Sequence, residues 1–141
     1  MESQAIEIRN FSGEGYQSVL SFESWRVAVL RYHDGSHPDK IHTIERHCQT
    51  DEVFILTEGR AVLIVGSNGD EVGELQAVVM QPGKIYNIKK NSWHTTLLGK
   101  GAHIIIVEND DTGKENSESA ALTNSHRNAL LAIAHDFWAG N

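Results

Sequence analysis

The chain has little cysteine: Cys48 is the only one among 141 residues. One thiol excludes an internal disulfide, so a reducing, cytoplasmic location is the expectation. Basic residues are in the minority, 12 Lys+Arg against 19 Asp+Glu, for a formal net charge of -7. Phosphate binding needs clustered cations, so this balance argues against a nucleic-acid partner, and the acidic surface mainly reports solubility. Long hydrophobic runs are missing too. None approaches the roughly 20 residues of a membrane helix. Met1-Glu2-Ser3-Gln4 lacks the basic-then-apolar pattern of a signal segment. No internal repeat and no low-complexity segment is found.

What is present is a chain of 40% hydrophobic residues, enough for a buried core in one domain spanning 1–141. Short β-type runs recur with turn chemistry between them. They are Ser24 to Leu30, Ile41 to His47, Glu52 to Leu56, Ala61 to Val65, Leu75 to Met80, Ile85 to Ile88, His94 to Leu98 and His103 to Val107. Thr57-Glu58-Gly59-Arg60, Ser67-Asn68-Gly69-Asp70, Pro82-Gly83 and Gly99-Lys100-Gly101 punctuate them. This pattern predicts an all-β barrel or sandwich of about six to ten strands over residues 24–108. The polar stretch 109–121 reads as a loop. A helix is predicted over about 125–138, capped by Thr123 or Ser125. Leu130, Ile133, Ala134, Phe137 and Trp138 fall on one face, which packs on the barrel or on a second subunit.

Two segments gather metal-grade side chains at strand edges: Glu45-Arg46-His47-Cys48-Gln49-Thr50-Asp51-Glu52, and Asn91-Ser92-Trp93-His94. Glu45 and His47 alternate on a strand and share a face, with Arg46 pointing away. Strict alternation puts Glu52 on the opposite face. A bend or bulge at Cys48–Asp51 is therefore required to bring it back. Cys48, of opposite parity to His47, reads as a small buried residue.

These segments resemble the cupin superfamily, whose first motif sets a His pair, a Glu and a Gly at fixed spacing. His47, Glu52 and Gly59 match the second His, the Glu and the Gly, and Glu45 stands where the first His is usual. The second motif runs from a Gly to Pro-x-Gly-x-x-His. Here Gly83 is followed at the same spacing by Lys89, Asn91 and His94. Asn91 replaces the inner Gly, a mild change because Asn tolerates the left-handed conformation. The resemblance implies a cupin-type double-stranded β-helix, or jelly-roll, barrel with a C-terminal helix. Glu45-Arg46-His47, Pro82-Gly83-Lys84-Ile85-Tyr86-Asn87 and Trp93-His94-Thr95 are also similar to the ureidoglycolate lyase family within that fold.

The resemblance implies a site in which His47, Glu52 and His94 bind a divalent transition metal, Zn, Mn, Fe or Ni. The implied substrate is a small 2-oxo or 2-hydroxy organic acid, and the implied reaction a lyase step. Glu45 is then a ligand, a base that moves a substrate proton, or a solvent-facing strand residue. Gln49, Tyr86 and Trp93 are candidate pocket walls. Competing readings are a non-catalytic small-molecule-binding cupin and a metal-free one in which His47 and His94 are structural. A homodimer is expected, because small barrels have edge strands to cover.

Overall fold

The structure, a computed structural model, describes residues 5–139. The four-residue N-terminal stretch considered for a signal pattern lies outside them. Ten strands precede one helix: β1 (Gly15–Phe22), β2 (Trp25–Arg31), β3 (Thr43–His47), β4 (Glu52–Glu58), β5 (Ala61–Val65), β6 (Gln76–Val79), β7 (Ile85–Ile88), β8 (His94–Leu98), β9 (His103–Asn109), β10 (Ser117–Ala121) and α1 (Asn124–Ala139). They form two five-stranded sheets, β1-β2-β9-β4-β7 and β10-β3-β8-β5-β6, with every pairing antiparallel. This is the jelly-roll barrel that the strand pattern and the motifs imply. No described helix is long and apolar enough to cross a membrane.

The burial rhythm of each strand shows which layer it serves. β9 alternates, with Ile104, Ile106 and Glu108 buried and the residues between them half-buried. That is the signature of a sheet with one face inward. β5 is buried at Ala61, Val62, Leu63 and Ile64 in succession. Its continuous apolar run is explained by cover on both faces. Inside the barrel Ala28, Phe54, Leu56, Leu63, Ile88, Leu98, Ile104 and Ile106 interdigitate. Outside the second sheet, Ile44, Val62, Ile64, Trp93 and Leu97 meet Leu130, Ala134 and Phe137 of α1.

The helix therefore uses its apolar face on its own barrel. Thr123 is its cap: Oγ1 accepts from the His126 amide at 3.1 Å. At the other end Arg60 donates to the Phe137 carbonyl at 2.7 Å and lies over the Phe137 ring, 4.1 Å from its centroid.

Two expectations need correction. The barrel extends beyond 24–108, because β1 and β10 complete the two sheets. The segment 109–121 is not all loop. Its end, Ser117–Ala121, is an edge strand whose residues pair with His47 through Thr43. It is polar because an edge strand with one exposed side needs no apolar alternation. The bend expected at Cys48–Asp51 is present. It is the crossover from β3 in one sheet to β4 in the other, so His47 and Glu52 approach from opposite walls. Asp51 fixes the crossover by accepting from the Lys90 amide and from Asn87 Nδ2.

Candidate metal centre

Strand register assembles the centre. On the second sheet, Glu45 on β3 is paired with His94 on β8, and His47 follows Glu45 on the same face. On the first sheet, Val53 pairs with Val107. The next residues outward, Glu52 and Glu108, are both buried. Arg26 is the β2 partner of Glu108. The structure thus brings together Glu45, His47, Glu52 and His94, as the motifs imply, and adds Glu108. These side chains line one cavity of about 770 Å³ between the sheets, whose wall includes Tyr16, Arg26, His33, Thr43 and Lys114.

The donor atoms converge. His94 Nε2 lies 3.0 Å and His47 Nε2 3.4 Å from Glu52 Oε1, and Glu45 Oε1 lies 3.8 Å from His47 Nε2. The other ring nitrogens are held from behind. His94 Nδ1 lies 2.9 Å from the Ser92 carbonyl. A carbonyl only accepts, so Nδ1 carries a proton, and in its neutral form the ring would turn the Nε2 lone pair into the cavity. His47 Nδ1 lies 2.8 Å from Ser117 Oγ of β10. Outer partners of this kind orient metal-binding imidazoles.

Charge follows from the packing. Burial disfavours the Glu52 carboxylate, yet the two imidazoles outweigh it and hold its pKa well below the ordinary 4.5. For His47 and His94 burial favours the neutral ring, but Glu52 prevails and raises both above 6.5. Glu108 is raised above 4.5 by burial and by the neighbouring Glu52, against Tyr16 and Arg26.

A divalent cation fits this donor set. Glu52 Oε1 and Glu108 Oε1 are buried and receive no sound hydrogen bond. Two acceptors facing each other, Glu52 Oε1 and the His94 Nε2 lone pair, require a proton or a cation between them. Two groups of donors lie within 4.8 Å of one another: Glu45, His47 and His94 toward the mouth, and His47, Glu52 and Glu108 further in. Mixed imidazole and carboxylate donors suit first-row divalent metals.

The expected pocket walls are elsewhere. Trp93 is next to His94 and of opposite parity, so it turns outward into the core beneath α1. There its Nε1 donates to the Gly69 carbonyl, and Arg46 covers its ring at 4.5 Å. Arg46 points away from Glu45 and His47, as expected, toward Gly69 and Glu118. Tyr86 pairs with Phe54, two residues along β4 from Glu52, and its hydroxyl accepts from the Gln81 amide. Gln49 is exposed in the crossover, its carbonyl accepting from Asn109. Cys48 is half-buried, its thiol donating to Glu118 at 3.4 Å.

The family model of ureidoglycolate lyase matches residues 4–128. The chain belongs to the ureidoglycolate lyase family. The comparison with curated proteins gives no significant match. Among solved structures, the chain is similar to Streptomyces Pac13, a nucleoside dehydratase, at 11% identity and a TM-score of 0.55, with 81% of this chain and 84% of that one covered. It is also similar to an RmlC-like cupin with a double-stranded β-helix fold from Methanocaldococcus jannaschii, at 10% identity and a TM-score of 0.53, covering 76% and 93%. A protein from Planctomyces limnophilus aligns at 13% identity and a TM-score of 0.51, covering 83% and 93%. At these identities the likeness is one of fold, the cupin barrel that the family member shares.

Proposed function

We propose that this member of the ureidoglycolate lyase family is a metal-dependent enzyme acting on a small 2-hydroxy acid of the ureidoglycolate class. The observation that carries the reading is the pairing of His94 Nε2 with Glu52 Oε1 at 3.0 Å, with His47 alongside, in a cavity large enough for such an acid. His47, Glu52 and His94 would hold the ion. Bound there, a divalent cation supplies Lewis acidity to the substrate's hydroxyl and carboxylate oxygens.

The chain's own part is proton movement. Ureidoglycolate carries a hydroxyl and a ureido nitrogen on the same carbon. Glu45, whose side chain is 57% exposed at the cavity mouth, takes the hydroxyl proton. The C–O bond becomes C=O, the C–N bond breaks, and its electron pair leaves on nitrogen. Glu45 returns the proton to that nitrogen, releasing a 2-oxo acid and urea. Leu30, Phe54, Leu98 and Ile106 give the cavity an apolar wall.

The test is turnover. Protein purified without a tag and loaded with metal should release a 2-oxo acid from ureidoglycolate, and His94→Ala should not. Metal-loaded protein that binds the acid without breaking it would favour the carrier or sensor reading. Protein that neither binds nor cleaves it would overturn the substrate class.

A further inference from the structure

We propose that Glu108 is a direct ligand of the cation this pocket would hold, and that Tyr16 and Arg26 are positioning residues that aim it. The proposal rests on the metal reading above. Glu108 is 5% exposed, and its two oxygens have unlike surroundings. Oε2 accepts from the Tyr16 hydroxyl at 2.6 Å, from Arg26 Nε at 3.1 Å and from Arg26 Nη2 at 2.8 Å. Oε1 has no partner. The carboxyl is therefore clamped through one oxygen while the other is turned toward Glu52 and His47.

The clamp is itself anchored. Arg26 also donates to the carbonyls of Asp110 and Thr112, in the turn that follows β9. A rigid arginine fork with a tyrosine hydroxyl leaves the carboxyl little rotational freedom, so little ordering is lost when an ion binds. Two buried carboxylates on neighbouring strands repel each other unless one keeps its proton, and a divalent cation would remove that cost in its place. Glu45 makes a weaker candidate for the same place. Among the described residues its only ion-pair neighbour is His47, at 3.8 Å, and no hydrogen bond fixes its direction. Assigning the inner position to Glu108 leaves Glu45 free as the proton carrier.

The experiment measures metal affinity, not turnover. Wild type, Glu108→Gln, Glu45→Gln and Tyr16→Phe are stripped, then titrated with Zn(II) or Mn(II) against a chelator of known affinity. Folding is followed by melting of the stripped proteins. The Gln amide fills the Glu108 site and its oxygen can still accept from Tyr16 and Arg26, so the stripped variant should stay folded and melt cooperatively. Glu108→Gln should weaken binding by at least about 10- to 100-fold, and Tyr16→Phe by a smaller factor at unchanged stoichiometry. Glu45→Gln should stay near wild type. The visible spectrum of the Co(II)-loaded protein should change in Glu108→Gln and not in Glu45→Gln. A folded Glu108→Gln with wild-type affinity and spectrum overturns the proposal. Should that variant fail to fold, half-exposed Tyr16 tolerates loss of its hydroxyl, and unchanged affinity in Tyr16→Phe overturns it instead. Wild type that binds no metal overturns both this proposal and the reading beneath it.

Discussion

Nε2 of His94 and Oε1 of Glu52 lie 3.0 Å apart, and they reach that point from opposite sheets. Because His94 Nδ1 donates to Ser92, the neutral ring presents a lone pair to a carboxylate oxygen. The contact is stable when the ring is protonated, and a metal ion held by both groups would replace that proton. The two sheets thus meet through a contact that depends on the charge held in this gap.

That gap sets the pH response of the metal-free protein. The raised pKa values of His47 and His94 mean that the folded state holds their protons more tightly than the unfolded chain. Their contribution is fully present below 6.5 and is lost as pH rises through the folded values. Glu52, depressed, contributes above 4.5 and loses that contribution as pH falls toward its folded value. Stripped protein should therefore melt at a lower temperature at about pH 8.5 than at about pH 6. Metal loading should weaken or reverse this trend, because the ion replaces the protons. A stripped protein whose melting temperature is flat or rises over that range would show that the imidazoles do not bear on Glu52.

Glu45→Gln separates the roles left open for Glu45. With Glu45 as the proton carrier, the variant should keep its metal and lose about 10²- to 10⁴-fold in kcat. Loss of metal would make it a ligand. Wild-type turnover would give it neither role.

Gly59 and Asn91 test the backbone demands of the two motifs. Gly59 has φ +76°, and a Cβ there would sit 2.7 Å from backbone atoms of Gly101 and Ala102. Gly59→Ala should cost at least ~1–3 kcal/mol in urea unfolding. Asn91 has φ 69° where the cupin motif has its inner Gly, and its amide donates to the His47 carbonyl. Asn91→Ala should cost about 1 kcal/mol and Asn91→Gly nearly nothing. Equal effects of the two Asn91 substitutions would mean that its left-handed conformation is not what matters.

Phe137 joins α1 to the barrel through Val62, Leu97 and the stacked Arg60. Phe137→Ala should cost about 3–5 kcal/mol in denaturant unfolding. A value below ~1 kcal/mol would mean that the helix is dispensable to the barrel.

Much of this was legible in the chain, and the misses have physical causes. His47, Glu52 and His94 were found because motif spacing encodes their meeting, although the alternation rule alone put Glu52 on the wrong face. That rule holds within one strand, and here the chain changes sheets between His47 and Glu52. Glu108 was missed because it lies just past the apolar run His103 to Val107. Its parity with Ile104 and Ile106, both buried, was the available signal. Parity also argued against Trp93, which as the neighbour of His94 had to face the other way. Tyr16 and Ser117 were out of reach. They lie on polar edge strands whose places are decided by pairing with β2 and β3, not by any pattern of their own.

The most direct test of the central claim is elemental analysis of protein made without a tag, as isolated and after reconstitution. Wild type should hold about one divalent transition-metal ion per chain, and His94→Ala close to none, because losing one imidazole opens the shell. Wild type that remains metal-free after reconstitution, while folded and melting cooperatively, would contradict the account.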